Sequence, residues 1–259
     1  MKVIILGCGT SGGIPVIGNR WGSCDPSNPK NRRSRTSALA EWGGHRFLID
    51  SSPDLRSQLL ACEIPDIDAV LYTHTHADHT HGLNDLCLLS RRKNAPIPIY
   101  GDKDTIDSLM TSFTYAFKDP GNDHYKPFLA PYIIQWGVPF PVFGHTIEAF
   151  RQDHGIIEST GFLLGSFAYS TDVCGLEDAV LEKLSEAALD LWVIDCLQRE
   201  PHRTHSYLEQ TLGWIQRVKP KRAVLTHLSP HLDYEILASE LPTGVEPAYD
   251  GMVIDIMKS

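Results

Sequence analysis

The chain has 259 residues, of which 42% are hydrophobic and 21% charged, a composition typical of globular proteins and unlike that of disordered, collagen-like or coiled-coil chains. The 23 Lys and Arg residues against 32 Asp and Glu give a net charge of −9, which argues against a surface that binds nucleic acid or an anionic membrane as a whole. No apolar run reaches the roughly 18 residues of a transmembrane helix, and no signal-peptide pattern opens the chain. We therefore expect a cytoplasmic protein without membrane contact.

Segments with strand character follow one another in both halves of the chain, with a few amphipathic segments between them. Apolar or alternating runs predict strands at residues 2–7, 37–42, 45–51, 68–74, 97–101, 132–137, 145–152, 160–166, 167–172, 190–196, 223–227 and 252–257. Apolar residues at helical spacing predict helices at residues 53–63, 84–94, 176–189 and 206–218. An aromatic-rich segment, 105–132, interrupts this pattern, and we expect an inserted flap or a helical excursion there. Because no repeat or linker is evident, the sequence predicts one α/β sandwich domain spanning residues 1–259.

Two loops early in the chain are candidates for binding an anion. The glycine-dense turn GCGTSGGIP follows the first strand but lacks the spacing of known phosphate-binding loops, so a plain tight turn and a phosphate cradle both stay open. A basic loop comes next, in which Arg32 either faces solvent or points at an anionic substrate. The same question stays open for Arg91, in a second basic cluster further along the chain.

The stretch THTHADHTHG, which directly follows the apolar run AVLY, indicates a metal site. His74, His76, Asp78, His79 and His81 place four imidazoles and a carboxylate within eight residues, a poor composition for a core. Neutral imidazole ligates zinc, iron or manganese, and a carboxylate oxygen supplies the harder ligand that a dinuclear site needs. On an extended segment His74 and His76 point the same way, while Asp78 and His79 enter the next turn and can face a second ion.

Further ligands are expected at the ends of other strands. His154, Asp172 and His227 each follow an apolar run. A single His in such a position is more often structural than a ligand. Three such residues, in this order after a His-rich loop, favour a shared metal site.

The order H-x-H-x-D-H, then His, Asp and His resembles the metallo-β-lactamase superfamily of dinuclear metallohydrolases over nearly the whole chain. The resemblance implies a four-layer αβ/βα sandwich with a metal cleft at one edge. It also implies a division of ligands between two ions: His74, His76 and His154 for one, Asp78, His79 and His227 for the other, and Asp172 bridging.

A closer similarity is to the branch that contains the phosphodiesterase of the carbon–phosphorus lyase pathway and, more distantly, the tRNA 3′-processing endonuclease. The segments LGCGTSGGIP, STD, IDCLQREPHRTHSYLE and YDGMVIDI carry it. The resemblance implies that His205 lies beside the scissile phosphate, with His202 as the competing candidate. The branch also has a cysteine cluster for a structural zinc. Here Cys24 remains with only His231 as a further donor, so we expect no third metal.

These residues predict a hydrolase mechanism. Two ions about 3.5 to 4 Å apart would hold a bridging water as hydroxide for attack on phosphorus. His205 is suited to stabilise the developing charge and to protonate the leaving oxygen, and Asp78 to accept or orient the proton of the nucleophile. Asp50, at the end of its strand, is expected to contact a ligand imidazole from behind the site, although an ordinary cap would also explain it. His81 and His124 are assigned no role.

The sequence is compatible with several functions. The leading expectation is a metal-dependent phosphodiesterase acting on a small cyclic or nucleotide-like phosphate ester, with zinc, manganese or iron as the ion. A thioester or lactone hydrolase of the glyoxalase-II type would use nearly the same ligands, but such relatives usually end in a helical segment, and this chain ends on a strand-like run at Met257. An RNA 3′-endonuclease and a metal or oxygen sensor are further alternatives. A homodimer is compatible with the fold.

Overall fold

The structure, a computed structural model, describes residues 1–119, 121 and 126–256. His124, Tyr125 and Met257 lie outside this range. Within it the strands are β1 (Lys2–Gly7), β2 (Ser37–Trp42), β3 (His45–Ile49), β4 (Ala69–Leu71), β5 (Ile97–Gly101), β6 (Leu129–Ile133), β7 (Phe140–Val142), β8 (His145–Asp153), β9 (Glu158–Leu164), β10 (Phe167–Ser170), β11 (Leu191–Asp195), β12 (Ala223–Thr226), β13 (Val245–Pro247) and β14 (Met252–Asp255). The α-helices are α1 (Leu55–Ala61), α2 (Ala77–Thr80), α3 (Leu86–Lys93), α4 (Lys103–Ser112), α5 (Thr114–Phe117), α6 (Asp178–Glu186), α7 (Leu208–Val218) and α8 (Tyr234–Glu240).

The strands form two mixed sheets. The first has the order β14-β1-β2-β3-β4-β5-β6. Neighbouring strands are antiparallel from β14 to β3 and parallel from β3 to β6. The second has the order β13-β12-β11-β10-β9-β8-β7, in which β10 to β13 are parallel. Crossover helices connect the parallel strands, as parallel pairing requires.

The two sheets pack face to face, and helices cover both outer faces. Phe47 and Ile49 of β3 belong to the core between the sheets, where they join Phe162 of β9, while Leu48 of the same strand points outward under helices. Alternate side chains therefore enter two different apolar layers, which explains the nearly continuous apolar runs in the central strands. The predicted four-layer αβ/βα sandwich is confirmed.

Each outer layer is closed by the apolar stripe of amphipathic helices. Leu59 of α1, Leu89 of α3 and Leu109 of α4 pack on the first sheet. Leu184 of α6 and Ile215 of α7 pack on the second. Because a stripe is buried on one side only, the opposite side of each of these helices faces solvent.

Most predicted elements are present, and the differences have identifiable causes. The strand predicted at 132–137 begins earlier, at Leu129, because the pairing of β6 with β5 runs from Leu129 to Ile133, and Pro131 is tolerated at this sheet edge. The aromatic segment 105–132 is helical in α4 and α5 before β6 begins, and Phe128 is buried in the outer core. Elements that periodicity did not indicate are short: α2, α8, β7 and β13.

No helix in the described part of the chain is both long and apolar enough to cross a bilayer.

Candidate metal centre

The predicted metal ligands gather at one edge of the sandwich, because strands that run in the same direction end at the same edge of a sheet. β3 and β4 are parallel in the first sheet, as are β10, β11 and β12 in the second. β8 is antiparallel to β9, which is antiparallel to β10, so β8 also ends at this edge. The His-rich segment follows β4, His154 follows β8, Asp172 follows β10 and His227 follows β12.

Three residues at this edge have a left-handed backbone, which side chains rarely adopt. Asp50 (φ 61°), Asp172 (φ 54°) and His227 (φ 57°) each lie within two residues of a strand end. A non-glycine residue in this region costs about 1 kcal/mol or more, and such strain concentrates at functional sites. The backbone therefore changes direction sharply where the side chains of the site begin.

Four residues form a first donor group: His74, His76, His154 and Asp172, whose donor atoms lie within 4.8 Å of one another. Nε2 of His154 is 3.3 Å from Nδ1 of His76 and 3.5 Å from Oδ1 of Asp172. Nε2 of His74 is 3.8 Å from the same carboxylate oxygen. Three imidazoles and one carboxylate are a donor set that suits a four-coordinate divalent ion.

A second donor group consists of Asp78, His79 and His227. Asp78 and His79 lie on α2, the short helix that follows the extended part of the His-rich segment. Oδ2 of Asp78 is 3.4 Å from Nε2 of His79 and 3.8 Å from Nε2 of His227. One turn of helix thus brings two adjacent residues against His227 from the other sheet.

Asp172 lies between the two groups. Its Oδ1 faces His74 and His154, whereas its Oδ2 is 3.1 Å from Nε2 of His79 and 3.5 Å from Nε2 of His227. Each oxygen of one carboxylate therefore faces a different set of imidazoles. This is the arrangement that a carboxylate shared by two cations requires.

The polar atoms of the centre fit divalent cations. Nε2 of His74, of His79 and of His227 are buried and make no well-directed hydrogen bond to any described residue. A buried polar atom left without a partner costs about 1 to 3 kcal/mol. A cation ligated by these nitrogen atoms removes that cost, because it supplies the partner that the protein does not.

Burial disfavours charge on Asp172, His227 and His74, but for Asp172 and His227 the neighbouring groups of opposite charge favour the charged form. The pKa of Asp172 lies well below its ordinary value, because the imidazoles of His227, His79 and His74 outweigh the burial that would raise it. For His227 the effects have the opposite sign: burial would lower the pKa, but the carboxylates of Asp172 and Asp78 raise it to about 9. For His74, burial and then the neighbouring His79 lower the pKa. Ionised carboxylates among nitrogen donors attract cations.

Asp50 supports the centre from beneath, as expected from its position at a strand end. Its Oδ2 is 2.7 Å from Nδ1 of His79 and accepts a 2.8 Å hydrogen bond from Oγ1 of Thr73. Thr73 Oγ1 is in turn 2.9 Å from Nδ1 of His74. Asp50 is fully buried, so one carboxylate fixes the rings of His79 directly and of His74 through Thr73.

His205 lies in the centre, whereas His202 does not. Nε2 of His205 is 3.8 Å from Oδ1 of Asp172, and its ring stacks on His227 with the centroids 4.6 Å apart. His202 is exposed and contacts Thr204. Of the two candidates, the geometry therefore favours His205.

Asp195, the last residue of β11, also belongs to the centre, although it is not among the residues predicted from the sequence. Oδ2 of Asp195 is 3.1 Å from Nδ1 of His205 and accepts hydrogen bonds from the backbone N–H groups of Val173 and Ser206. Its Oδ1 is 3.9 Å from Nδ1 of His227. An available signal was the apolar run LWVID, which ends on Asp as FLID ends on Asp50.

The glycine-rich turn is held by the end of the chain. Oδ1 of Asp250 accepts from the backbone N–H of Cys8, and Oδ2 from the N–H and the hydroxyl of Ser34, so Asp250 joins the turn to the basic loop. Burial raises the pKa of Asp250 to about 6. The motif YDGM thus has a structural role here.

The two arginines left open occupy different surfaces. The guanidinium of Arg32 lies over the ring of Trp21, 5.0 Å from its centroid. Arg91 lines a groove on the outer side of the first sheet, which none of the donor residues lines. The thiol of Cys24 is buried and donates toward the carbonyl oxygens of Pro230 and Leu232.

Comparison with protein families matches residues 45–228 to the β-lactamase superfamily domain. This span contains every predicted metal ligand. A crystal structure described as a new diphosphatase from the PhnP family is 34% identical, with a TM-score of 0.88 over 99% of this chain and 98% of that chain.

The chain covers different shares of two curated relatives. An octanoyltransferase of Porphyromonas gingivalis is 34% identical over 97% of this chain but 51% of its own length, so the chain spans about half of that relative. A ribonuclease Z of Mycobacterium sp. (strain KMS) is 27% identical over 78% of this chain and 80% of the relative.

Proposed function

The chain belongs to the β-lactamase superfamily and, within it, to the PhnP family, and from this premise we propose that it is a metal-dependent hydrolase of phosphoric diesters. Asp172 carries the proposal, because its two carboxylate oxygens face two separate groups of donors. We propose that residues 1–259 act as one hydrolase domain on a small cyclic or nucleotide-like phosphate ester.

The donor groups suit two divalent ions, with zinc or manganese as the expected metals and iron as a third that the same ligands accept. When bound, such ions activate water and polarise a phosphoryl oxygen. The residues proposed to hold them are His74, His76 and His154 for one ion, Asp78, His79 and His227 for the other, and Asp172 for both.

His205 is placed to protonate the leaving oxygen. Its Nδ1 faces the buried carboxylate of Asp195, and its Nε2 is directed into the centre, so Nε2 is the nitrogen that would give a proton to the leaving oxygen. The His205 side chain is 12% exposed, which leaves it reachable by a bound substrate but shielded from bulk water. A His held in this way is a suitable general acid.

Asp78 is the proposed proton acceptor for the attacking water. Burial would raise its pKa, but the nearby imidazoles of His227 and His79 lower the pKa below the ordinary range, so Asp78 is ionised at neutral pH. Its side chain is 13% exposed, more than that of Asp172 at 3%. Of the two carboxylates, Asp78 is therefore the one that substrate and water reach.

A small substrate is favoured over long RNA because the chain has a net charge of −9, opposite to the charge of an RNA-binding surface. The similarity to a diphosphatase favours a second candidate, a diphosphate ester, in which the leaving group is a phosphate instead of an alkoxide. Both substrates present a phosphoryl centre to the same donors.

A substrate comparison tests the proposal. Protein of measured metal content would be assayed with bis(p-nitrophenyl) phosphate, a diphosphate ester, a thioester and a lactone under identical conditions. We expect about two ions per chain and hydrolysis of a phosphorus substrate. Preference between the two phosphorus substrates then identifies the leaving group.

Two outcomes would overturn the proposal. Faster cleavage of the thioester or the lactone would assign the site to carboxylic esters. A single ion per fully active chain would contradict the proposal that Asp172 binds two ions, whatever the substrate.

A further inference from the structure

An apolar groove lies between α1 and α3 on the outer face of the first sheet. Its volume is about 650 Å³. Leu59 and Leu89 form the buried floor, and Leu60 and Leu88 stand at the rim, where they are 63% and 66% exposed. Exposed leucines beside an apolar cavity are typical of a surface that another molecule covers.

The rim of the groove is basic although the chain as a whole is acidic. Arg56, Arg91 and Arg92 line it with a single acidic residue, Asp85, while the net charge of the chain is −9. In the described part of the chain the arginines that form ion pairs are others: Arg35, Arg46, Arg151, Arg199, Arg217 and Arg222. Arg92 donates to the backbone carbonyl of Pro65. Because this acceptor carries no charge, it does not neutralise the guanidinium group. The groove therefore offers apolar contacts within a frame of unneutralised guanidinium groups.

From this combination we infer that the groove binds an acidic amphipathic helix of a partner protein. A helix that enters a groove places apolar side chains at i, i+3, i+4 and i+7 against the floor, and here Leu59 and Leu89 would receive them. Carboxylates on the two flanks of such a helix would then meet Arg56 on the α1 side and Arg91 on the α3 side. Guanidinium–carboxylate pairs of this kind set the register and orientation of the partner.

The charges and the shape disfavour two other occupants. A second copy of this chain that packed through the same face would bring another set of arginines toward this rim, and like charges across such an interface are repulsive. A membrane surface is broad, whereas the buried floor at Leu59 and Leu89 lies between two helices and calls for side chains that insert. The inference is independent of the hydrolase activity, since the groove shares no residue with the donor groups.

Binding of designed peptides tests this inference. The probe is a fluorescein-labelled helix of roughly 18 residues with Leu at the spacing above and Glu on both flanks, and its counterpart has Lys in place of Glu. We expect the Glu peptide to bind the full chain with a Kd of the order of 10 μM by fluorescence anisotropy. The Lys peptide should not bind.

Matched variants separate a specific groove from general attraction. Arg91→Glu and Leu88→Ser should each weaken the Glu peptide about tenfold, a change of 1.4 kcal/mol. Arg20→Glu, an equally charged change at an exposed residue outside the groove, should leave binding within about twofold. Unfolding midpoints and hydrolase rates equal to wild type would show that the variants are folded.

Four results would overturn the inference. These are no binding of the Glu peptide, equal weakening by Arg20→Glu, a dimer in sedimentation that Leu88→Ser dissociates, and binding of phosphatidylglycerol vesicles that Leu88→Ser abolishes. The last two would assign the groove to a second copy or to a membrane.

Discussion

The carboxylate of Asp195 lies between two imidazoles of the candidate centre, 3.1 Å from Nδ1 of His205 and 3.9 Å from Nδ1 of His227. The same carboxylate accepts hydrogen bonds from the backbone N–H groups of Val173 and Ser206. Asp195 therefore ties together three loops, those that follow β10, β11 and β12. The position of the candidate acid and the position of a candidate metal ligand depend on one buried group.

Replacement of His205 should remove the proton donor without removing the ions. We expect His205→Ala to lower kcat on a diester by about 10² to 10⁴, the usual contribution of a general acid, while metal content stays unchanged. His202→Ala is the matched control, because this exposed imidazole lies three residues away, beside Thr204, with its ring centroid 5.4 Å from that of His205. Steady-state kinetics with metal analysis measure both. Equal activity of His205→Ala and His202→Ala would contradict the assigned role.

Asp195→Asn should impair His205 through its orientation. The amide keeps the volume of the side chain but weakens the contact with Nδ1, so we expect kcat to fall about 10- to 100-fold. The combination with His205→Ala should add little, because both changes act on one group. Additive losses of kcat in the double variant would mean that Asp195 affects activity by stabilising the fold and not by orienting His205.

Removal of metal should destabilise the folded chain. A chelator would leave the buried nitrogen atoms of His74, His79 and His227 without partners, and a ligand at about a thousand times its Kd contributes roughly 4 kcal/mol. We expect a lower unfolding midpoint after chelation, restored by zinc or manganese. Asp172→Asn should reduce this difference strongly, whereas Asp178→Asn, at an exposed helix start, should preserve it. A midpoint insensitive to chelation in wild type would argue against metal at these residues.

Asp250 should make the stability depend on pH. Its pKa is raised by burial from 3.8 to about 6, so the unfolded chain releases this proton at a lower pH than the folded chain does. Below pH 4 the group contributes no penalty, and from pH 4 to about 6 the folded state loses stability progressively, by up to about 3 kcal/mol.

Asp250→Asn removes this proton while keeping the shape of the side chain. The free energy of unfolding of the variant, relative to wild type, should therefore rise between pH 4 and pH 6.5, as measured by urea unfolding at a series of pH values. A constant difference across this range would show that Asp250 titrates near its ordinary pKa in the folded chain.

The sequence by itself was sufficient for the sandwich architecture and for the set of candidate ligands. Runs such as VIILG and IPIYG are apolar on both faces because helices and the second sheet cover both faces of their sheet; residues 3–7 are all buried, and residues 97–101 are buried or half-buried. His74, His76, Asp78 and His79 lie within six positions, so their proximity follows from local geometry. For His154, Asp172 and His227, the common edge of the parallel strands made a shared site predictable.

Only the tertiary structure decided which side chains meet across loops. His202 and His205 belong to one irregular segment with no periodicity to separate them. The two differ at the end of β11, where Asp195 contacts the ring of His205 and is itself held by the N–H of Ser206. Asp195 itself looks like an ordinary strand end in the sequence. The groove is a similar case, because Leu60 and Leu88 are 28 positions apart and only the packing of α1 beside α3 leaves both exposed. Periodicity records which face of an element is buried, whereas contacts between distant loops depend on chain closure that no local pattern encodes.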